Sequence, residues 1–332
     1  MILDCTAESF LVPEPMPSNA APDRDADAPS ERVSAFWAKA AAPEFRLQLH
    51  QVSWFGHPEV ARYVNRMTTG DPDRWWLDHA QTTYLSAPRP KASVTLGCGE
   101  GALERLLIGR NFADSYVGYD ISAACVDQAN ATVGREHPAA EFHCADLNFI
   151  ELPTNTFDVA FFSHALHHIE RLEHLCEQVR ASLRPNGVLL VDEFIGPTRM
   201  QWTPHQLAVC NQLLAQLPEY LRIDLSRLPE RMPKEPITRM SIAEWLRCDP
   251  SECVRSADIP AVLDTYFETI ERHDYGGTIL QKLLENIVGN FVPENEEHST
   301  IIRMLVAIEE ILISTGVLTS DFTVMIMRPR LR

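Results

Sequence analysis

The chain has 332 residues, of which 45% are hydrophobic and 23% are charged, and its formal net charge at pH 7 is −17. This charge disfavours nucleic acid as a partner, because binding a polyanion requires a basic surface. The sequence also lacks a run of about 18 apolar residues, so we do not predict a membrane partner. The eight cysteines lack a CxxC pair or regular spacing, which indicates neither a disulfide framework nor a zinc site and is typical of a cytoplasmic protein.

Two segments precede the part of the chain in which strands and helices alternate. Residues 13–31 are rich in Pro, Ala, Asp and Ser and have almost no large apolar side chains, so we predict a flexible leader over residues 1–31. Residues 32–90 combine helical spacing with many aromatic side chains. They predict a helical N-terminal segment.

Residues 91–197 alternate between strand and helix patterns. The predicted elements in chain order are strand 93–96, helix 102–108, strand 116–119, helix 122–134, strands 141–144 and 157–163, helix 170–183 and strand 188–194, with a turn at 185–187. Strands that alternate with helices indicate right-handed crossovers and a parallel sheet. We therefore predict an α/β core with a mostly parallel sheet and helices on both faces.

The last part of the chain predicts two further units. Residues 198–265 contain prolines but no glycine, which favours short helices joined by rigid turns and suggests a lid that selects the substrate. Residues 266–332 predict a strand near 267–275, two helices over 278–316 and a strand at 322–327, which complete a seven-stranded sheet.

A glycine-rich loop, Gly97-Cys98-Gly99-Glu100-Gly101, connects the first strand to the first helix of the core. Glycines let the backbone turn tightly and approach a ligand closely. The second strand ends at Asp120 and is followed by Ile121, where a carboxylate can accept hydrogen bonds from ribose hydroxyls. An adenosine-type cofactor is predicted, but the loop also fits the fingerprint of NAD-binding proteins.

Candidate cofactor and catalytic residues follow the third and fourth strands. Asp146 and Leu147 come after the third strand, where a carboxylate can accept from an adenine amine, and Ser163 ends the fourth strand. His164, and after it His167, are candidate bases, because a neutral histidine can take a proton near physiological pH.

A metal ion held by His164, His167 and Asp192 is disfavoured, because paired carboxylates at a metal-binding spacing are missing. We predict no metal. Four residues near the ends of the fifth and sixth strands are candidate substrate contacts, namely Glu193, Arg199, Trp202 and Tyr275. The alternative for the first three is a salt-linked strand end beside a packed tryptophan.

Residues 90–197 resemble the class I methyltransferases, which have a Rossmann-like fold. The matching stretches are TLGCGEG, YVGYDIS, CADLNFIELPTNTFDVAFFSHALHHI and LRPNGVLLVDE, and Thr95 departs from the acidic residue that is frequent two positions before the first glycine. The resemblance implies S-adenosyl-L-methionine as cofactor and S-adenosyl-L-homocysteine as product. It places the loop glycines at the methionine and ribose, Asp120 at the ribose, Asp146 at the adenine, and Ser163 with His164 near the sulfonium.

The resemblance implies a methyltransferase that acts on an oxygen or nitrogen atom of a small molecule, such as a secondary metabolite or a sugar. Two alternatives remain open at this point, an NAD-dependent oxidoreductase and a protein that binds S-adenosylmethionine without transferring methyl groups. We expect a cytoplasmic protein, with a homodimer as one option for its assembly.

Overall fold

The computed structural model describes residues 29–40, 52–86 and 88–330, so most of the predicted leader lies outside the described residues. Its strands are Ala92–Leu96 (β1), Ser115–Asp120 (β2), Ala140–Cys144 (β3), Phe157–Ser163 (β4), Leu183–Phe194 (β5), Phe267–Gly276 (β6) and Phe322–Pro329 (β7). Its α-helices are Pro29–Ala40 (α1), Pro58–Thr69 (α2), Trp76–Tyr84 (α3), Ala102–Gly109 (α4), Ala123–Ala129 (α5), Leu172–Ser182 (α6), Pro204–Gln216 (α7), Ile242–Cys248 (α8), Ile259–Tyr266 (α9), Leu280–Leu284 (α10) and Glu296–Ser314 (α11).

The seven strands form one sheet in the order β3-β2-β1-β4-β5-β7-β6. The pairs from β3 to β5 are parallel, whereas β7 lies antiparallel between β5 and β6. The predicted mostly parallel α/β sheet is confirmed, and the reversed β7 makes it a mixed one. Strand order changes direction between β1 and β4, and open α/β sheets bind ligands in the crevice at such a point, beyond the carboxyl ends of the strands.

Helices bury both faces of the sheet. Successive strand residues point to opposite faces, so neighbouring residues of one strand pack in different apolar clusters. On β4, Val159 and Phe161 join an apolar cluster that includes side chains of α2, α4 and α5. Ala160 and Phe162 join a second cluster with side chains of α6 and α9. Burial on both faces explains why the parallel strands have nearly continuous apolar sequences.

Two element boundaries differ from the sequence predictions. Helix α1 begins at Pro29, inside the segment predicted as a leader. Strand β5 begins at Leu183 and includes the predicted turn at 185–187. Leu183 pairs with Phe157, and pairing resumes between Val188 and Val159. The residues between them form a bulge, so a turn sequence lies within one strand.

The segment 198–265 contains helices α7, α8 and most of α9, with the short 3-10 helices Glu219–Leu221 and Leu225–Arg227 in the long connection between α7 and α8. Helix α8 begins at a capping box, in which the Ser241 side chain accepts from the Glu244 backbone and the Glu244 side chain accepts from the Ser241 backbone, and this arrangement satisfies backbone donors at the helix start. Across the described ranges, no helix combines the length and apolarity needed to cross a bilayer.

Candidate functional site

A cavity of about 350 Å³ lies at the carboxyl edge of the sheet, beyond the ends of β1, β2 and β4. Its volume lies in the range of small-molecule sites, roughly 300–1,000 Å³. Its lining includes Trp37, Gly97, Gly99, Asp120, Ile121, Asp146, Leu147, Phe149, Ser163, His164, His168, Arg171, Arg199, Pro250, Ser251 and Val254. The predicted cofactor residues therefore meet at one place, except for Cys98, Glu100 and Gly101, which do not line this cavity.

Gly97 and Gly101 have different roles in the glycine-rich loop. Gly97 has a φ of +81°, and a Cβ there would lie 2.4 Å from the Ala165 Cβ at the cavity wall. Gly101 has a φ of +79°, and its missing Cβ would lie 2.9 Å from the Phe142 ring. Gly97 thus permits Ala165 to pack directly against the glycine-rich loop, whereas Gly101 permits α4 to pack closely on the sheet.

Asp120 connects the end of β2 to the glycine-rich loop. Its Oδ2 accepts a hydrogen bond from Gly99 N at 2.9 Å, and its Oδ1 accepts from Ser122 N at 2.8 Å. Burial raises the pKa of Asp120 above its ordinary value, and these N–H donors act in the opposite direction. Each oxygen can still accept another hydrogen bond toward the cavity.

Asp146 lines the cavity on the other side of β2, and its Oδ1 accepts from Asn148 N at 2.9 Å and from Asn148 Nδ2 at 3.0 Å. These bonds fix a loop and leave Oδ2 available. Nearby, the Arg171 guanidinium stacks over the Phe149 ring at 4.9 Å. Phe149 and Arg171 were not predicted as site residues, because a pair so far apart in sequence leaves no local signal.

His164 follows β4 directly and lines the cavity. Its φ of 52° is unusual for a residue other than glycine, and strained backbone of this kind is concentrated at functional sites. His164 N donates to Asp192 O at 2.8 Å. Asp192 is buried and accepts from Tyr275 Oη at 2.6 Å and from Trp76 Nε1 at 3.1 Å. Tyr275 was expected to contact substrate, but it is buried against Asp192 and does not line the cavity.

Glu193 and His167 are fully buried and organise the loop that follows β4. Glu193 Oε2 accepts from Ala165 N at 2.9 Å and Leu166 N at 2.6 Å, while its Oε1 faces His167 Nδ1. Burial alone would raise the pKa of Glu193, but the neighbouring His167 lowers it below its ordinary range. Neither residue lines the cavity, contrary to the expectation that Glu193 contacts substrate and that His167 is the second candidate base.

Arg199 is the substrate candidate that does reach the cavity. Its Nη1 donates to Pro250 O at 2.6 Å and to Glu252 O at 3.1 Å, and its backbone N donates to Cys253 O at 2.7 Å. Arg199 thereby holds the segment 250–254 as a cavity wall. Trp202, expected beside it, is 3% exposed and donates from Nε1 to Asp321 Oδ2 at 3.1 Å, outside the cavity.

Several lining residues were not predicted as site residues. Pro250, Ser251 and Val254 come from the segment 198–265, called the insertion below, and Trp37 comes from α1, where its ring meets the His168 ring edge-on with centroids 5.2 Å apart. For His168, the one sequence signal was its position next to His167, a candidate base. The other contacts depend on how distant segments pack, which no local pattern encodes.

Residues 94–191 match a family model described as a methyltransferase domain. A 2-phytyl-1,4-naphtoquinone methyltransferase of Trichormus variabilis is 24% identical over 153 residues, which are 45% of this chain and 66% of that protein. Residues 94–191 therefore contain a methyltransferase domain. The match to methyltransferases, which use S-adenosylmethionine as methyl donor, favours this cofactor over NAD, the other cofactor that the glycine-rich loop permits.

Other similar proteins extend beyond the methyltransferase domain. An uncharacterised 37.1 kDa protein in transposon TN4556 of Streptomyces fradiae is 26% identical over 137 residues, 41% of this chain and 39% of that protein. The chain therefore spans 39% and 66% of the lengths of these two relatives. Among solved structures, a phosphoethanolamine N-methyltransferase of Haemonchus contortus has a TM-score of 0.47 at 13% identity, covering 89% of this chain and 60% of that one. A methyltransferase of Mesorhizobium loti has a TM-score of 0.42 at 18% identity, covering 77% and 97%.

Proposed function

We propose that the protein transfers a methyl group from S-adenosylmethionine to an oxygen or nitrogen atom of a small molecule. The observation that carries the proposal is a single cavity lined by Asp120, His164 and Arg199. These residues come from β2, from the end of β4 and from the segment after β5, so a cofactor-side acid, a candidate base and a substrate-side wall share one space.

The residues on the cofactor side fit S-adenosylmethionine. Gly97 and Gly99 both line the cavity, and residues without a Cβ let a ligand lie close to the backbone. Each oxygen of Asp120 has one N–H donor and can accept a second hydrogen bond, as two ribose hydroxyls require. Asp146 Oδ2 can accept from the exocyclic adenine amine, with Ile121 and Leu147 beside it in the lining.

The bound cofactor supplies an electrophilic methyl group on a positively charged sulfonium. We assign to His164 the removal of a proton from the acceptor as its heteroatom attacks. Arg199 holds the segment 250–254 in place, and this wall would orient the acceptor and exclude water. Alignment and exclusion of water supply much of the rate in such a displacement.

A small acceptor, such as a secondary metabolite or a sugar, is favoured over a macromolecule. The net charge of −17 disfavours a polyanion, and the cavity volume suits a small ligand. The similarity to a naphthoquinone methyltransferase supports the same class. A cytoplasmic location and a homodimer stay predictions.

Calorimetry tests the cofactor assignment, and mass spectrometry tests the acceptor. The protein should bind S-adenosylmethionine and S-adenosylhomocysteine at micromolar concentration and should not bind NAD. With isotope-labelled S-adenosylmethionine, label should then appear in phenols, amines or sugar hydroxyls of a metabolite panel. Binding of NAD in place of the sulfur cofactors would refute the proposal, as would labelling confined to RNA or protein in parallel incubations.

A further inference from the structure

Three side chains, two of them buried, meet in the cavity wall. His167 and His168 belong to the turn Leu166–His168 after β4, and Glu252 belongs to the insertion. Their side chains are 0%, 12% and 6% exposed. Glu252 Oε1 lies 3.9 Å from His167 Nε2, and Glu252 Oε2 lies 3.9 Å from His168 Nε2. One possible ligand atom from each residue lies within 4.8 Å of the other two.

The contacts of Glu193 determine which nitrogen of His167 carries a proton. The two Glu193 oxygens accept from three backbone N–H groups, those of Ala165, Leu166 and Phe194. Glu193 Oε1 therefore acts as an acceptor toward His167, and Nδ1 is the donor. The Nε2 atom of His167 then carries the lone pair, and it lies on the side of Glu252.

Ser251 determines the tautomer of His168 in the same way. The Ser251 hydroxyl donates its one proton to Asp249 Oδ1 at 2.6 Å, so its contact of 3.0 Å with His168 Nδ1 requires that Nδ1 donate. His168 Nε2 then carries a lone pair. It is buried and has no hydrogen-bond partner among the described residues.

We propose that His167 Nε2, His168 Nε2 and the Glu252 carboxylate bind a divalent transition-metal ion, for which zinc is the best chemical fit. A gap of 3.9 Å is too long for a hydrogen bond. Zinc lies about 2.0–2.2 Å from its nitrogen and oxygen ligands, so two ligands of one ion are roughly 3–4 Å apart, and the two gaps of 3.9 Å fall in this range. Two imidazoles and a carboxylate form a common donor set for catalytic zinc and related ions.

Each of the three candidate ligands has a hydrogen-bond partner that fixes its orientation, as metal ligands in proteins usually do. Glu193 and Ser251 orient the two imidazoles through their Nδ1 atoms, and the Cys253 thiol donates to Glu252 Oε1 at 2.9 Å. Such partners fix ring orientation and raise the basicity of the ligands. The set differs from the disfavoured group of His164, His167 and Asp192, because Glu252 lies 84 residues beyond His168 and comes close only through folding.

The ion would join the loop after β4 to the insertion. His168 and Ser251 line the cavity, so the site lies in the wall shared with the acceptor side. Three protein ligands leave one position of a tetrahedral ion for water or for a heteroatom of a ligand. This inference does not depend on methyl transfer, since a metal can be bound whether or not the acceptor class is right.

Zinc binding by the untagged full chain tests the proposal. After dialysis against a chelator, the parent protein should take up about one zinc ion per chain in competition with a chromophoric chelator, and zinc should raise its melting temperature. Glu252→Gln and His168→Ala should each lower the affinity by about 100-fold or more, and Ser251→Ala by about 10-fold, because outer-shell changes typically cost 10–100-fold. His143→Ala, an exposed histidine of β3, is the matched control and should bind as the parent does.

Cobalt substitution gives a second readout, because its visible spectrum reports the ligand set directly. Loss of that spectrum in Glu252→Gln, with the spectrum kept in His143→Ala, supports the assignment. Two outcomes would overturn it, namely no zinc uptake by the folded parent at micromolar concentration, and equal uptake by the parent, Glu252→Gln and His168→Ala. Circular dichroism of each variant ensures that misfolded protein is not compared.

Discussion

His164 Nε2 lies 3.8 Å from Asp192 Oδ2, and both side chains are buried at the end of β4 and β5. Burial raises the pKa of Asp192, while His164 and the donors Tyr275 and Trp76 favour its charged form. Asp192 thus places a buried carboxylate, which accepts from Tyr275 and Trp76, beside the candidate base His164.

Replacing His164 by Ala should lower the turnover number by about 10²–10⁴-fold, the usual contribution of a general base. Cofactor affinity should be nearly unchanged, because Asp120 and the glycine-rich loop remain. Turnover at saturating acceptor, taken from the labelled-metabolite screen, is the measurement. His143→Ala serves as the control, and a parent-like turnover of the His164 variant would remove His164 as the base.

Replacing Asp120 by Ala should weaken S-adenosylmethionine binding by about 1–3 kcal/mol, or roughly 5- to 150-fold in Kd, since ribose hydroxyls would lose their acceptor. The Gly99 and Ser122 N–H groups also lose their partner, so part of the loss comes from the loop. Asp114→Ala, just before the other end of β2, is the control. Equal calorimetric affinities of the Asp120 variant and the parent would contradict the ribose assignment.

The sequence predicted what local patterns encode. The strand that ends at Asp120, the glycine-rich loop and the position of His164 follow from chain order, because parallel strands bring their carboxyl ends to one edge. Burial of Glu193, Trp202 and Tyr275 could not be read in this way. Each of these side chains carries a polar group. Whether it reaches the cavity depends on which residue, distant in the sequence, forms a hydrogen bond with that group.

The pairing of the insertion with the core illustrates the same limit. Val254 N donates to His167 O at 3.0 Å, and Ser256 Oγ donates to Gly196 O at 2.9 Å. These bonds join segments separated by dozens of residues in the sequence. No periodicity or turn signal specifies them, so the cavity wall at 250–254 emerged only from the structure.

Replacing Arg199 by Ala should loosen this wall, because two carbonyls lose a charged donor that contributes about 1.5–3 kcal/mol. Amide exchange in residues 250–254 should become roughly tenfold faster or more, and the KM for the acceptor should rise with cofactor affinity preserved. Hydrogen exchange read by mass spectrometry is the measurement. Arg247→Ala, an exposed residue of α8, should leave both quantities unchanged, and unaltered exchange in the Arg199 variant would contradict the anchoring role.

Asp321 connects the insertion to the sheet and titrates in an unusual range. Its Oδ2 accepts from Trp202 Nε1 at 3.1 Å and from Gln206 Nε2 at 3.0 Å. Burial raises the pKa of Asp321 from 3.8 to about 7, although these donors favour the charged form. The folded protein therefore keeps a proton on Asp321 at pH values where the unfolded chain has lost it.

This difference predicts how stability depends on pH. Between pH 4 and 7 the folded state binds the Asp321 proton and the unfolded state does not, so the contribution of Asp321 is complete below pH 4, falls as pH rises, and levels off above pH 7. The change is on the order of 4 kcal/mol at most, at 1.36 kcal/mol per pKa unit.

Asp321→Asn keeps an acceptor for Trp202 and Gln206 but cannot ionise. The free energy of unfolding of the parent minus that of Asp321→Asn, from urea denaturation at pH 4.5 to 8, should decline across this window. The exposed control Asp274→Asn should give a nearly constant difference, and a constant difference for Asp321→Asn would mean that Asp321 is charged in the folded protein throughout.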